Sequence, residues 1–175
     1  MFRYHPSMKR TLPYNILLVA TFLWCALLFL PPVAASIEAS SSSISSTCYK
    51  FFSLICHQYD SRSLHVFGWK LAVCARCFGV YLGFLIGVLV VPFFYPRNFS
   101  KIILWLTVAV LPMMLDVLLD VVQIHVSNLI TRMTTGAFFG IVAAAVLTPI
   151  FEEGCSELIT QLQQYRGRHY ESQTG

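Results

Sequence analysis

Four stretches of this chain are apolar over about the length of a membrane crossing, and no other feature narrows its fold as far. A helix needs roughly 20 mostly apolar residues to span hydrocarbon. Residues 12–35, around 16-ILLVATFLWCALLFL-30, meet that length, as do residues 71–92, 101–122 and, more briefly, 133–150. Pro31 and Pro32 should end the first stretch, and Pro112 inside the third predicts a kink. Composition agrees: 57% of the 175 residues are hydrophobic and 11% are charged, against roughly 25% charged in soluble domains. A core of this size cannot hide so much hydrocarbon, so lipid is the expected solvent. The expected fold class is all-α, an integral membrane helical bundle of four transmembrane helices. The formal net charge of +4 includes no dense Lys/Arg block, so nucleic acid is not an expected partner and membrane lipid is.

The first stretch has a second reading. Its basic start, apolar run, Pro-Pro break and 33-VAA-35 also fit a cleavable secretory signal, whose loss would leave three membrane helices. Its full length with flanks favours an uncleaved anchor. The expected organisation is therefore an anchor or signal over 1–35, a Ser-rich linker over 36–47 containing 40-SSSSISS-46, a membrane domain over 48–150, and a polar tail over 151–175, helical near 157–165. Within the domain, 48-CYKFFSLICHQY-59 has apolar residues at 51, 52, 54, 55 and 59. That crowded face predicts a short outer interfacial helix, carrying Cys56, His57 and Gln58 over the start of the second membrane helix.

Charge sets the orientation. With the N-terminus inside, seven basic residues are cytoplasmic (Arg3, Lys9, Arg10, Arg97, Lys101, Arg166 and Arg168) and five are outside (Lys50, Arg62, Lys70, Arg76 and Arg132). The chain is thus expected as a multi-pass protein of the cell membrane, with both termini cytoplasmic and its cysteine-rich end outside.

Small residues recur every four positions on two of the apolar stretches. Ala75, Gly79, Gly83 and Gly87 form one stripe, and Gly136, Gly140 and Ala144 form another. Such stripes let backbones approach closely in lipid, where packing drives association. The two helices should meet each other along them, or hold copies of the chain together as a homo-oligomer.

Charge inside the third stretch needs compensation. Asp116 and Asp120 lie four apart on one helix face, with Gln123 following, and a charge at mid-bilayer costs on the order of 3 kcal/mol. Arg132 is the expected partner, across the short turn 127-SNLI-130. A structural Asp–Arg clasp is the plain reading, and a proton or ion path is the functional one. His125 and Asn128 could join it, and Arg62 and Arg76 should gather nearby into one polar cluster at the outer face. Their guanidinium forks also suit lipid phosphates.

Six cysteines complete the inventory. Cys25 and Cys155 stand apart, while Cys48, Cys56, Cys74 and Cys77 fall at the outer end. Three chemistries are open. The simplest is a structural disulfide between Cys56 and Cys74 or Cys77, as oxidising compartments favour. The second is redox catalysis, in which Cys74 and Cys77 start a helix whose dipole, with Arg76, favours thiolate, and Cys56 is a third redox candidate. The third is a zinc or iron site built from Cys56, Cys74 and Cys77 with His57 or His65 as fourth ligand. Cys56 and His57 are adjacent and would point about 100° apart on a helix, which favours His65. Whether the chain is an enzyme stays open on these residues.

Taken in order, 56-CHQYDSRS-63, Gly68, 73-VCARCFGVYLG-83, 112-PMMLD-116 and 128-NLITRMTTGAFFG-140 resemble the signature of the membrane-protein family termed domain of unknown function 2085. The resemblance spans about residues 49–147. It matches Cys56, His57, Gln58, Arg62, Ser63, Cys74, Arg76, Cys77, Gly79, Tyr81, Gly83, Asp116, Asn128, Arg132 and Gly136. Phe78 departs from the family's small polar residue beside Cys77, and Val117 from the glycine expected after Asp116. The resemblance implies an integral membrane protein of prokaryotic type and brings no reaction with it.

Overall fold

The computed structural model describes residues 12–37, 43–93, 102–122 and 128–174. Gln123, His125 and the basic residues Arg3, Lys9, Arg10, Arg97 and Lys101 lie outside the described residues.

The first apolar stretch is two helices, α1 (Leu12–Leu27) and α2 (Leu30–Ile37), bent by 40° at the break between them. Pro31 and Pro32 were expected to end a helix; they sit in the first turn of α2 instead. The first-turn N–H groups have no partner inside a helix, so proline costs nothing there. Helix α3 (Ser43–Ser53) starts earlier than the expected outer helix and stops before Cys56, so Cys56, His57 and Gln58 are not helical. Its Ser45 hydroxyl donates to the Pro31 carbonyl at 3.1 Å, tying α3 to α2.

A 3-10 turn over Asp60–Arg62 leads into an antiparallel hairpin, β1 (Ser63–Val66) and β2 (Trp69–Cys74), with His65 opposite Lys70 and Val66 opposite Trp69. This hairpin corrects the all-α expectation, since residues 71–74 were read as the start of a span. Phe67 and Gly68, at φ 54° and 80°, make the turn. Positive φ at both central residues is what a two-residue turn matched to strand twist requires.

Cys74 ends β2, and α4 (Ala75–Val90) follows directly. Then come α5 (Ile102–Val121), with Pro112 inside it, and α6 (Leu129–Thr174), a 46-residue helix that runs on through the expected tail. Helices α5 and α6 are long and apolar enough to cross a membrane, and the bent α1–α2 pair makes a third crossing if it counts as one span. The 16 residues of α4 rise only about 24 Å against a hydrocarbon core of about 30 Å. By length the structure supports two to three crossings, where four were expected.

Helices α4 and α6 interlock through the two glycine stripes. A Cβ on Gly79 or Gly83 would strike the backbone of Met133 or Ala137, and one on Gly136 or Gly140 would strike the backbone of Arg76 or Val80. At Gly87 it would lie 2.5 Å from the Ala144 Cβ. The stripes therefore fill each other within the chain, and contact between copies has to use another face. Helix α1 is tied in by the Tyr14 hydroxyl, which donates to the Val88 carbonyl at 3.1 Å. At the cysteine end, Leu28, Phe52, Cys56, Leu71, Ala72 and Val73 form a buried core with Trp24, Cys74, Cys77 and Tyr81 packed around it.

Candidate functional site

The hairpin and the loop after α3 roof the first turn of α4, and this brings three cysteines together. The loop is held by backbone and side-chain bonds of its own. The Cys56 N–H donates to Phe52 at 3.0 Å, closing the end of α3. Gln58 turns the chain through a left-handed conformation at φ 51°. Its side-chain amide donates to the Tyr49 carbonyl at 2.9 Å, and its own carbonyl accepts from Lys70 Nζ at 3.3 Å. The Tyr49 hydroxyl donates to the Lys70 carbonyl, pinning α3 to β2. Tyr49 and Lys70 were not singled out from the sequence, where each is an ordinary interfacial residue.

Held in this way, Cys56 accepts a hydrogen bond on Sγ from the Cys74 N–H at 3.2 Å. The sulfurs of Cys56, Cys74 and Cys77 all lie within 4.8 Å of one another. Cys56 is buried, while Cys74 and Cys77 are half-buried. All six cysteines of the chain are free thiols. The expected bridge from Cys56 to Cys74 or Cys77 is thus not formed here; three unbonded sulfurs stand in its place. Hydrogen bonds from the Cys56 and Cys77 thiols hold the Cys74 thiol well below the ordinary thiol range.

Neither histidine completes the expected four-ligand set. The His57 ring stacks on Tyr59, with centroids 5.9 Å apart and planes at 13°. His65 Nε2 lies 3.3 Å from Asp60 Oδ1, on the exposed side of the hairpin. Among the described residues, the ligand-type cluster at this end consists of the three sulfurs alone. Cys25 is elsewhere in α1, its thiol 3.5 Å from the Tyr81 carbonyl.

The polar cluster assembles at the same end. The expected clasp exists: Arg132 on α6 donates to Asp120 on α5 at 2.8 Å, with both side chains less than a tenth exposed. A second pair, Arg76 on α4 with Asp116 on α5, was not foreseen. The C-x-x-C motif had drawn attention to the thiols flanking Arg76, whereas its guanidinium reaches across to the neighbouring helix. Arg62 lies 3.5 Å from Asp120 and over the Tyr59 ring, and its side chain is about half exposed. With these carboxylates on α5, the forks of Arg62 and Arg76 are engaged within the protein. Asn128 opens α6, its carbonyl accepting from the Arg132 N–H at 3.1 Å and from the Thr131 hydroxyl at 2.9 Å.

Residues 56–146 match the family model described as a predicted membrane protein, domain of unknown function 2085. The chain is 36% identical over 145 residues to an uncharacterised protein of Methanocaldococcus jannaschii, a match covering 80% of this chain and 93% of that one. It is 30% identical over 104 residues to an uncharacterised protein of Methanothermobacter thermautotrophicus, covering 58% of this chain and 90% of that one. No solved structure matches. The matched span opens at Cys56 and takes in the three thiols, both Asp–Arg pairs and both glycine stripes, so this chain belongs to the domain of unknown function 2085 family of membrane proteins.

Proposed function

We propose that the three-thiol cluster is a thiol–disulfide exchange centre, cycling between three thiols and one disulfide plus one thiol. The observation that carries this reading is the convergence of three unbonded sulfurs within 4.8 Å. A static staple needs two cysteines. A third sulfur in reach is an internal attacker, able to resolve a mixed disulfide or to move a bridge from one pair to another. Cys74 is the entry nucleophile: it is half-buried rather than buried, it sits at the N-terminus of α4, and its thiolate is favoured.

The co-reactant class is a protein disulfide. The Cys74 thiolate attacks one of its sulfurs, and the other sulfur leaves as a thiolate that takes a proton from solvent. Cys77 or Cys56 then gives up its proton and attacks Cys74 Sγ, releasing the partner's second sulfur. The partner's disulfide is reduced to two thiols, and two cluster thiols become one disulfide. In this reading α4 is a fourth, short crossing, residues 1–35 are a retained anchor, the cluster faces outward and the tail lies in the cytoplasm.

A second reading rests on the same three sulfurs. Zinc–sulfur bonds of about 2.3 Å place thiolates roughly 3.8 Å apart around one metal ion, and the cluster is compact enough to close to that spacing. Zinc or iron would then be held by Cys56, Cys74 and Cys77, with its fourth ligand coming from outside the described cluster.

One experiment separates the two. The purified protein is poised in glutathione buffers across a range of potentials, alkylated, and weighed intact before and after reduction, with zinc and iron measured in parallel. Exchange chemistry gives two cluster cysteines that become protected from alkylation together as the buffer turns oxidising. Three cysteines that alkylate alike at every poise overturn it. Stoichiometric metal that is lost in Cys74→Ser establishes the second reading instead.

A further inference from the structure

We infer that the C-terminal part of α6 pairs with the same segment of a second copy, forming a short parallel coiled coil at the end of the molecule remote from the thiols. The inference does not depend on the thiol chemistry. Helix α6 runs for 46 residues, and about 20 of them cross hydrocarbon. The remaining 25 or so extend for about 37 Å beyond the apolar part. Charged residues begin there, with Glu152, Glu153 and Glu157, so this half of the helix stands in water.

It is nevertheless not polar all round. Phe151, Cys155, Leu158, Leu162 and Tyr165 follow at spacings of four, three, four and three. That 3.5-residue period is the seam of a left-handed coiled coil rather than the broader stripe of a helix lying on a globular core. Leu158, Leu162 and Tyr165 are each more than half exposed within one chain. In aligned parallel helices, the position just before one seam residue faces the position five further along on the partner. For this seam those are Gly154 and Ile159. A side chain at Gly154 would meet nothing within 4 Å in the single chain, and Ile159 is 38% exposed. The glycine therefore leaves room for the partner's isoleucine on each side of the seam.

The occupant is a second copy because the seam is complementary to itself, and because two copies anchored in one membrane are held parallel and nearly level. Confinement supplies the effective concentration that a seam of two heptads needs, and continuity with the membrane part of α6 removes the cost of helix nucleation.

The register makes a sharp test. Cys155 falls on the seam, so two copies bring their Cys155 thiols face to face. In membranes treated with a mild oxidant, the native chain should give a disulfide-linked dimer that Cys155→Ser removes. Single cysteines placed in the Cys155→Ser background should cross-link several-fold more at Leu158→Cys and Leu162→Cys than at Glu153→Cys, Ser156→Cys or Thr160→Cys. Leu158→Glu with Leu162→Glu should reduce the dimer fraction in detergent while the thermal midpoint of the bundle stays put, since both side chains lie outside it. A flat cross-linking profile, or a dimer that survives both glutamates, overturns the inference. So does a dimer band that persists in Cys155→Ser, because its thiols then lie elsewhere.

Discussion

Replacing Gly83 with alanine tests the central packing of the bundle, because the structure gives the added methyl group a defined obstacle. An ideal Cβ at Gly83 would stand 2.6 Å from the Ala137 Cα and 2.8 Å from its carbonyl carbon. Ordinary van der Waals contact begins at 3.4 Å, so α4 and α6 must part by roughly 0.8 Å at this point. The obstacle is backbone, so no rotamer change can relieve it. Overpacking of this kind costs about 1–3 kcal/mol. Alanine also favours a helix over glycine by about 1 kcal/mol, and that gain must be separated out. Gly154→Ala supplies the control: it lies in the same kind of helix with nothing within 4 Å of the new Cβ. The thermal midpoint in detergent should therefore fall in Gly83→Ala relative to Gly154→Ala. At about 2–4 °C per kcal/mol for a chain of this size, the gap should be about 2–12 °C. If the two variants shift alike, the glycine stripes are not in backbone contact, and the α4–α6 packing described above is wrong.

Two further outcomes follow from the site. Asp120→Ala leaves Arg132 buried without its 2.8 Å carboxylate partner and should cost about 3–5 kcal/mol, measured as loss of thermal stability or membrane abundance. Arg62→Ala removes a half-exposed partner of the same carboxylate and should cost less than about 1 kcal/mol; equal losses in the two variants refute the assignment of Arg132 as the main partner. Labelling of Cys74 by iodoacetamide should persist as pH falls, because a thiol with a lowered pKa remains thiolate below the ordinary value of about 8.5. Labelling that disappears on acidification through that value means that the Cys56 and Cys77 thiols do not stabilise it.

The helices and their seams were readable in the sequence because each rests on a periodicity. Apolar runs gave α5 to within a residue at each end, and four-residue spacing identified both glycine stripes and the face carrying Asp116 and Asp120. What failed was read from residues whose roles are set by distant neighbours. Arg76 was assigned to the thiols beside it in sequence, while its partner is 40 positions away on α5. Strand β2 was merged into the span that follows, because Leu71, Ala72 and Val73 are as apolar as a membrane helix. The available signal was Gly68 between Val66 and Trp69, a turn residue flanked by β-formers. Cys56, His57 and Gln58 were placed on a helix because their apolar neighbours have helical spacing; the left-handed backbone at Gln58 breaks it, and nothing local marks that residue for such a conformation. The convergence of Cys56 on the C-x-x-C pair followed from the shared outer loop, but its unbonded three-sulfur form did not.

The seam between α4 and α6 has an entropic character that follows from what it is made of. At Gly79, Gly83, Gly136 and Gly140 the opposing atoms are the carbonyl groups of Met133, Ala137, Arg76 and Val80. The glycines meet them with Cα–H groups, weak donors that gain when brought this close to carbonyl oxygen. Glycine has no side-chain rotamers to freeze, so joining the helices here forgoes the ordering cost of about 0.5–1 kcal/mol that each buried leucine or isoleucine would carry. Such a seam has few alternative packings to slide into. It makes α4 and α6 a fixed frame, and motion in the cysteine end is left to the hairpin, the loop after α3 and the bend between α1 and α2.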